Sequence, residues 1–411
     1  MLLALILASL AHVSPAVDAV LAHADRVRVV VAADSRDAVI DSLAKPVERW
    51  GDSAGFVVEL SAEELDRLAR DPRVLAIDLD SPGGGALLES LPIVRADVAH
   101  TLGYDGRGVT VAVLDTGIDG HNVDFAGRIV AEHCFCSGCC PDGTSEMSGE
   151  GSASDDNGHG SHVAGIIAGG GASAPMGIAP AARIVAVKVM DRNNRFSSFT
   201  QIYRAMQWIR DTQFDVRVIN MSLGTDSLYA GTCEKDSVGI VVGPLIDELR
   251  RRGTLITVSA GNESSLTSAG FPACHPSSVT VGATYDTRVS SVNCFSGAAQ
   301  VDDVTCFSNA SAAVDVVAPG AFIRSVRIGG GSIELVGTSM AAPHVAGAIA
   351  LMVQANPNVA ADRFEEILKQ TGHLVLDRRT GKMIPRLDVA AAIAAVPAPD
   401  PPMPRRRTAR H

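Results

Sequence analysis

The sequence predicts an α/β protein, with a mostly parallel sheet carrying helices on both faces, preceded by a small α+β unit. Beyond Val109, continuous apolar runs alternate with helical stretches, as in strands covered on both faces. Before Asp80 the runs are short and half-apolar, and Ser81-Pro-Gly-Gly-Gly85 separates the two regions as an accessible junction.

Val27 to Ala32 reads as a strand, Arg36 to Ala44 as a helix and Gly55 to Leu60 as a second strand. Ser61-Ala-Glu-Glu64 is a capping box that opens a helix to about Arg70, and Val74 to Leu79 returns as a strand. In the larger region the expected strands are Val109 to Leu114, Arg183 to Met190, Arg217 to Met221, Thr254 to Ser259, Val279 to Thr284 and Val314 to Val317. Helices are expected at His159 to Ala168, Thr200 to Asp211 and Val238 to Arg252. Ligand chemistry in such a sheet sits beyond the carboxyl ends of its strands.

Composition narrows the function. Hydrophobic residues make up 46% and charged residues 20%, which suits a large core. A net charge of −11 excludes a general nucleic-acid binder. Residues 2–11 form an apolar run too short to span a bilayer, and Ala16-Val-Asp-Ala19 follows as a small-residue cleavage signal. Residues 1–19 therefore read as a secretory signal peptide, although no Lys or Arg precedes the run. No later segment is apolar enough for stable membrane insertion. The tail, 397–411, is Pro-rich and then basic, a solvated disordered composition. Eight cysteines fit an oxidising compartment, with four crowded at Cys134, Cys136, Cys139 and Cys140.

Four segments carry chemistry. Ser339 lies where a turn runs into the apolar helix that continues through Ala348, Ile349, Leu351 and Met352. The free amides of a first helical turn favour developing negative charge there; an ordinary Thr-Ser cap is the plain alternative. Asp115 ends the first buried strand, either as a turn residue or as a carboxylate held at the active edge. His159 stands at the Gly-flanked entrance of a helix and reads as the base, whereas His162, one turn in, reads as a core histidine. The His-x-x-His spacing does not suit a zinc helix. Asn262, at another strand end, is a turn residue or an amide donor to an oxyanion, and His344 reads as packed core.

Asp, His and Ser in that order resemble the subtilisin-like serine proteases. The family's signature segments match Asp115-Thr-Gly117, His159-Gly-Ser-His-Val-Ala-Gly165 and Gly337-Thr-Ser-Met-Ala-Ala-Pro343, and Asn262 matches its oxyanion asparagine. The resemblance covers roughly Val94 to Ala395, so 90–396 is expected to be a catalytic domain of subtilisin-like fold. It implies a secreted serine endopeptidase that works through an acyl-enzyme, with Asp115, His159 and Ser339 as triad. Residues 20–82 would be a ferredoxin-like propeptide that inhibits the enzyme and is removed by self-processing. Polypeptide substrates would pair as a strand beside Ser222, Leu223 and Gly224, in a monomer.

No cofactor is implied for the chemistry, but structural calcium is a family feature. Asp124 matches the high-affinity calcium aspartate, and a second site would use Asp315 with the carbonyls of Pro276 and Ser278. Each site shows a single carboxylate, and the loop Gly169 to Gly177 lacks the expected Asn. The cysteines depart from subtilisin. The Cys134–Cys140 insertion suits either a metal knuckle or two local disulfides, and secretion favours disulfides. Cys233–Cys274 and Cys294–Cys306 are the expected remaining pairs.

Overall fold

The structure, a computed structural model, describes residues 11–13, 17, 21, 25–34, 46–49, 55–80 and 87–399. The Arg36–Ala44 helix, the Ser81–Gly85 junction and the tail beyond 399 lie outside the described residues. Of the expected leader only 11–13 and 17 are described, and these join the smaller unit, His12–Val13 pairing with a strand of its sheet and Val17 lying in its core. The chain divides into two compact units, 1–84 and 85–411.

In the smaller unit, β1 (His12–Val13), β2 (Val27–Ala33), β3 (Glu48–Arg49), β4 (Gly55–Leu60) and β5 (Val74–Leu79) form a sheet in the order β1-β5-β2-β4-β3. Helix α1 (Ala62–Ala69) opens with the anticipated capping box: Glu64 N–H donates to Ser61 Oγ, and Ser61 N–H to Glu64 Oε2. Its Leu65 and Leu68 pack with Val27, Val29, Val31, Phe56, Val58 and Ile77.

The larger unit begins with α2 (Leu87–Ile93) and α3 (Ala96–Thr101). Then come β6 (Thr110–Asp115), β7 (Ile129–Cys134), β8 (Met147–Ser148), α4 (His159–Ala168), β9 (Arg183–Lys188), α5 (Phe199–Asp211) and β10 (Val216–Met221). Next are β11 (Leu228–Ala230), α6 (Ser237–Arg251), β12 (Leu255–Ser259), β13 (Ser268–Gly270), β14 (Val279–Tyr285), β15 (Val316–Ala321), β16 (Ile323–Val326) and β17 (Ser332–Leu335). The unit closes with α7 (Thr338–Ala355), α8 (Ala361–Thr371), β18 (His373–Asp377), β19 (Lys382–Arg386) and α9 (Val389–Ala395). The main sheet runs β18-β19-β15-β14-β12-β10-β6-β9-β7-β8 and is parallel except at its two outermost pairs.

The unbroken apolar run of β6 has a direct explanation. Val111 and Val113 face a core built with α4, α7, α8 and α9. Ala112 and Leu114 face a second core on the other side, built with α5 and α6. Residues Met340 to Val353 of α7 are all buried, so this helix is apolar on every face. Four disulfides form, Cys134–Cys140, Cys136–Cys139, Cys233–Cys274 and Cys294–Cys306, so the insertion is stapled rather than built as a metal knuckle.

Candidate active site

The carboxyl ends of β6, β10 and β12 and the first turns of α4 and α7 supply the chemistry-bearing residues. Asp115 is the last residue of β6 and is fully buried. Its Oδ1 accepts hydrogen bonds from Thr116 N–H and from His159 Nδ1–H, each at 2.7 Å. The imidazole stays 12% exposed. Burial works against its charge, but the Asp115 carboxylate outweighs burial and raises the pKa above 6.5.

Glycine makes this approach feasible. A Cβ on Gly160 would lie 2.1 Å from the Gly117 carbonyl and 3.1 Å from Asp115 Cβ, so only a bare backbone lets α4 begin against β6. Asp155 then fixes the helix start. Its oxygens accept from Thr116 Oγ1–H (2.8 Å), Ser161 Oγ–H (2.6 Å) and the amides of Asn157, Gly158 and Ser161. Thr116 Oγ1 in turn accepts from Gly160 N–H at 2.9 Å. Sequence reasoning passed over Asp155; its place four residues before His159 at a helix entrance was the available signal.

His162 and His344 are both fully buried, as a core reading requires. His162 Nε2 bridges the carbonyls of Ile323 (3.0 Å) and Ile333 (3.1 Å), bracing the β16–β17 hairpin, and burial, then the neighbouring His159, lowers its pKa to about 3. His344 packs between Met340 O and Ser90 Oγ, and burial lowers its pKa to about 4.

Ser339 is the second residue of α7. The helix starts after Gly337 with no side-chain cap, so neither Thr338 nor Ser339 serves as the cap that the plain alternative supposed. Pro343 lies four residues on and has no N–H to give the Ser339 carbonyl. Ser222 Oγ–H fills that place at 2.8 Å, while Ser339 Oγ–H points to the Ser222 carbonyl at 3.4 Å. The hydroxyl makes no hydrogen bond to His159 in this structure.

Asn262 Oδ1 accepts from Thr338 N–H (2.9 Å) and Thr338 Oγ1–H (3.0 Å). Both donors fix the amide orientation and leave its NH₂ face for another acceptor beside Gly337. Ser222, Leu223, Gly224, Asn262, Glu263 and Ser339 line a cavity of about 100 Å³. An adjoining cavity of about 390 Å³ continues past Ser222–Gly224 to Arg195 and Phe199. The Glu263 carboxylate is held there by Asn309 Nδ2–H at 2.6 Å.

The aspartates anticipated for calcium are differently engaged. Asp124 accepts from the amides of Ala172 (2.7 Å), Ser173 (3.0 Å) and Ala174 (3.1 Å) and from the Ser173 hydroxyl. Asp315 pairs with Lys369 and accepts Thr280 N–H at 2.9 Å; burial, reinforced by Glu365, pushes its pKa up to about 6. Neither donor set fits calcium. Among the described residues no cluster of His, Cys, Asp and Glu side chains is arranged to hold a metal ion.

The comparisons with known proteins agree with this architecture. The sequence profile of the subtilase family matches residues 106–387. An alkaline protease of Shouchella clausii is 35% identical over 320 residues, spanning 76% of this chain and 73% of that protein. Subtilisin BL of Lederbergia lenta is 35% identical over 280 residues, 68% of this chain and 88% of its own. A cold-adapted subtilisin-like serine proteinase of known structure superposes with a TM-score of 0.53 at 30% identity, over 69% of this chain and 89% of that one. The fold and these likenesses define a serine-type peptide hydrolase. The chain belongs to the subtilase family, and is a subtilisin-like serine endopeptidase.

Proposed function

We propose that the chain is made as a secreted, self-processing zymogen whose 90–396 region cleaves peptide bonds through Asp115, His159 and Ser339. The 2.7 Å bond from His159 Nδ1 to a fully buried Asp115 carries this reading. It sets the imidazole tautomer, with Nδ1 protonated and Nε2 free to accept a proton.

In this mechanism the Ser339 hydroxyl turns from the Ser222 carbonyl to His159 Nε2 as substrate enters; catalytic hydrogen bonds are often longer before substrate binds. Ser339 Oγ attacks the peptide carbonyl, and His159 takes its proton and returns it to the leaving amine. Asp115 stabilises the imidazolium without becoming protonated. The Asn262 NH₂ and the Ser339 backbone N–H hold the oxyanion. The substrate backbone pairs beside Ser222, Leu223 and Gly224, which line both cavities. Residues 20–82 act as the propeptide, supported by the core that Val27, Val29, Val31, Phe56, Val58 and Ile77 build within the 1–84 unit. The short apolar run at 2–11 with four disulfides supports export.

A fluorophosphonate probe tests the assignment. Processed protein should be labelled on Ser339 and the Ser339→Ala variant should not. N-terminal sequencing of exported material should find a start between Ser81 and Leu91 that disappears in Ser339→Ala. Unlabelled but correctly processed protein would instead identify a binding protein on this fold.

A further inference from the structure

We propose that this subtilase holds its fold without calcium, its own Arg128 and Lys369 serving as the cations at the two positions where the family resemblance leads one to look for the ion. The inference concerns stability and is independent of the triad assignment.

The first position centres on Asp124. Calcium requires several oxygen ligands at about 2.3–2.6 Å, which means carboxylate lone pairs and carbonyls turned toward one point. Here the loop presents its donors instead. The amides of Ala172, Ser173 and Ala174 and the Ser173 hydroxyl all point at the carboxylate and use its acceptor sites on both oxygens. A cation placed among them would meet the positive ends of four dipoles. The carbonyls that a cation would want are already engaged: Arg128 Nη1–H donates to both Ala168 O and Pro180 O. Gly170 keeps the loop close, since a Cβ there would lie 3.2 Å from Arg128 Nη2 and 3.2 Å from the Asp124 carbonyl. A half-buried guanidinium, attracted by Asp124, thus ties the loop ends that an ion would tie.

The second position repeats the solution with an ammonium. Lys369 Nζ pairs with Asp315 Oδ1 and with Glu365 Oε1. Thr280 N–H occupies Asp315 Oδ2. Arg250 pairs with Glu365 and Asp362 and donates to the Ser277 carbonyl at 3.2 Å, in the same loop that was expected to supply ligands. Calcium could enter only by expelling Lys369.

Thermal unfolding of the full chain carrying Ser339→Ala, which removes self-digestion, tests this. The Tm in excess calcium chloride should equal that in EDTA. Arg128→Gln should lower it in both solutions. Lys369→Gln should lower it in EDTA and recover part of the loss in calcium, because Asp315 and Glu365 are then released. A calcium-dependent rise of roughly 5 °C in the parent, the size expected from a saturated site, would overturn the proposal. So would stoichiometric calcium retained after gel filtration, or variants whose Tm matches the parent's.

Discussion

Asp115 and Asp124 are both fully buried, yet the chain treats them in opposite ways. Asp124 receives four donors shared between its oxygens. Among the described residues Asp115 receives two, both on Oδ1, and its buried Oδ2 finds no hydrogen-bond partner. A saturated carboxylate has spread its charge into fixed dipoles and holds a loop in place. An unsaturated one keeps a strong field for the neighbour that must become cationic. On the proposed mechanism, the contrast separates a carboxylate kept for architecture from one kept for reaction.

Substitutions should split the two roles. Asp115→Asn should lower kcat by about 10⁴ through the wrong imidazole tautomer, with little change in Tm. Asn262→Ala should follow, lowering kcat about 10²–10³ with KM nearly unchanged, the range known from subtilisin. Both are read with a peptide anilide substrate. Asp124→Ala should show the reverse pattern. Turnover at low temperature survives, while unfolding in denaturant reveals a loss of roughly 3 kcal/mol as the Ala172, Ser173 and Ala174 amides lose their acceptor. Similar activity losses at both aspartates would erase the distinction.

The pH profile sharpens it further. The base must be neutral, so kcat/KM should rise with pH through an apparent pKa above 6.5. The stability that His159 gains from Asp115 runs the other way: it is complete below 6.5 and is lost as pH rises through the raised value. Asp155 adds to the negative field at the imidazole, so Asp155→Asn should move the acid limb of kcat/KM to lower pH. A limb that stays in place would limit Asp155 to holding the helix entrance. The smallest effect is expected at Arg195, whose bidentate pair with Asp226 is exposed at 63% and 77%. Arg195→Ala should leave Tm unchanged.

Much of this was legible beforehand because the local chemistry was unambiguous. The helix His159–Ala168 and the strand Gly55–Leu60 fall where the pattern put them, and the Ser61–Glu64 box forms both of its bonds. Asp115 falls at the strand end and His159 at the helix start where the pattern put them. The unread parts have physical reasons. Strand β7 ends in the cysteine-rich insertion and is only partly buried over Ile129–Glu132, so no apolar run marks it. The β18–β19 hairpin leaves Leu374, Leu376 and Met383 exposed, and residues that face water give no burial signal. The engagement of Asp124 and Asp315 was hidden because their partners, Ser173 and Lys369, are far away in sequence.

One turn of α4 carries two imidazoles with contrary responses to acid. His159, its pKa raised, takes up a proton readily, and in the proposed mechanism it then no longer serves as the base. His162, held near a pKa of about 3, stays neutral and goes on bracing the two carbonyls it bridges. Mild acidification should therefore silence the enzyme while its scaffold stands, and neutralisation should return it to work without refolding.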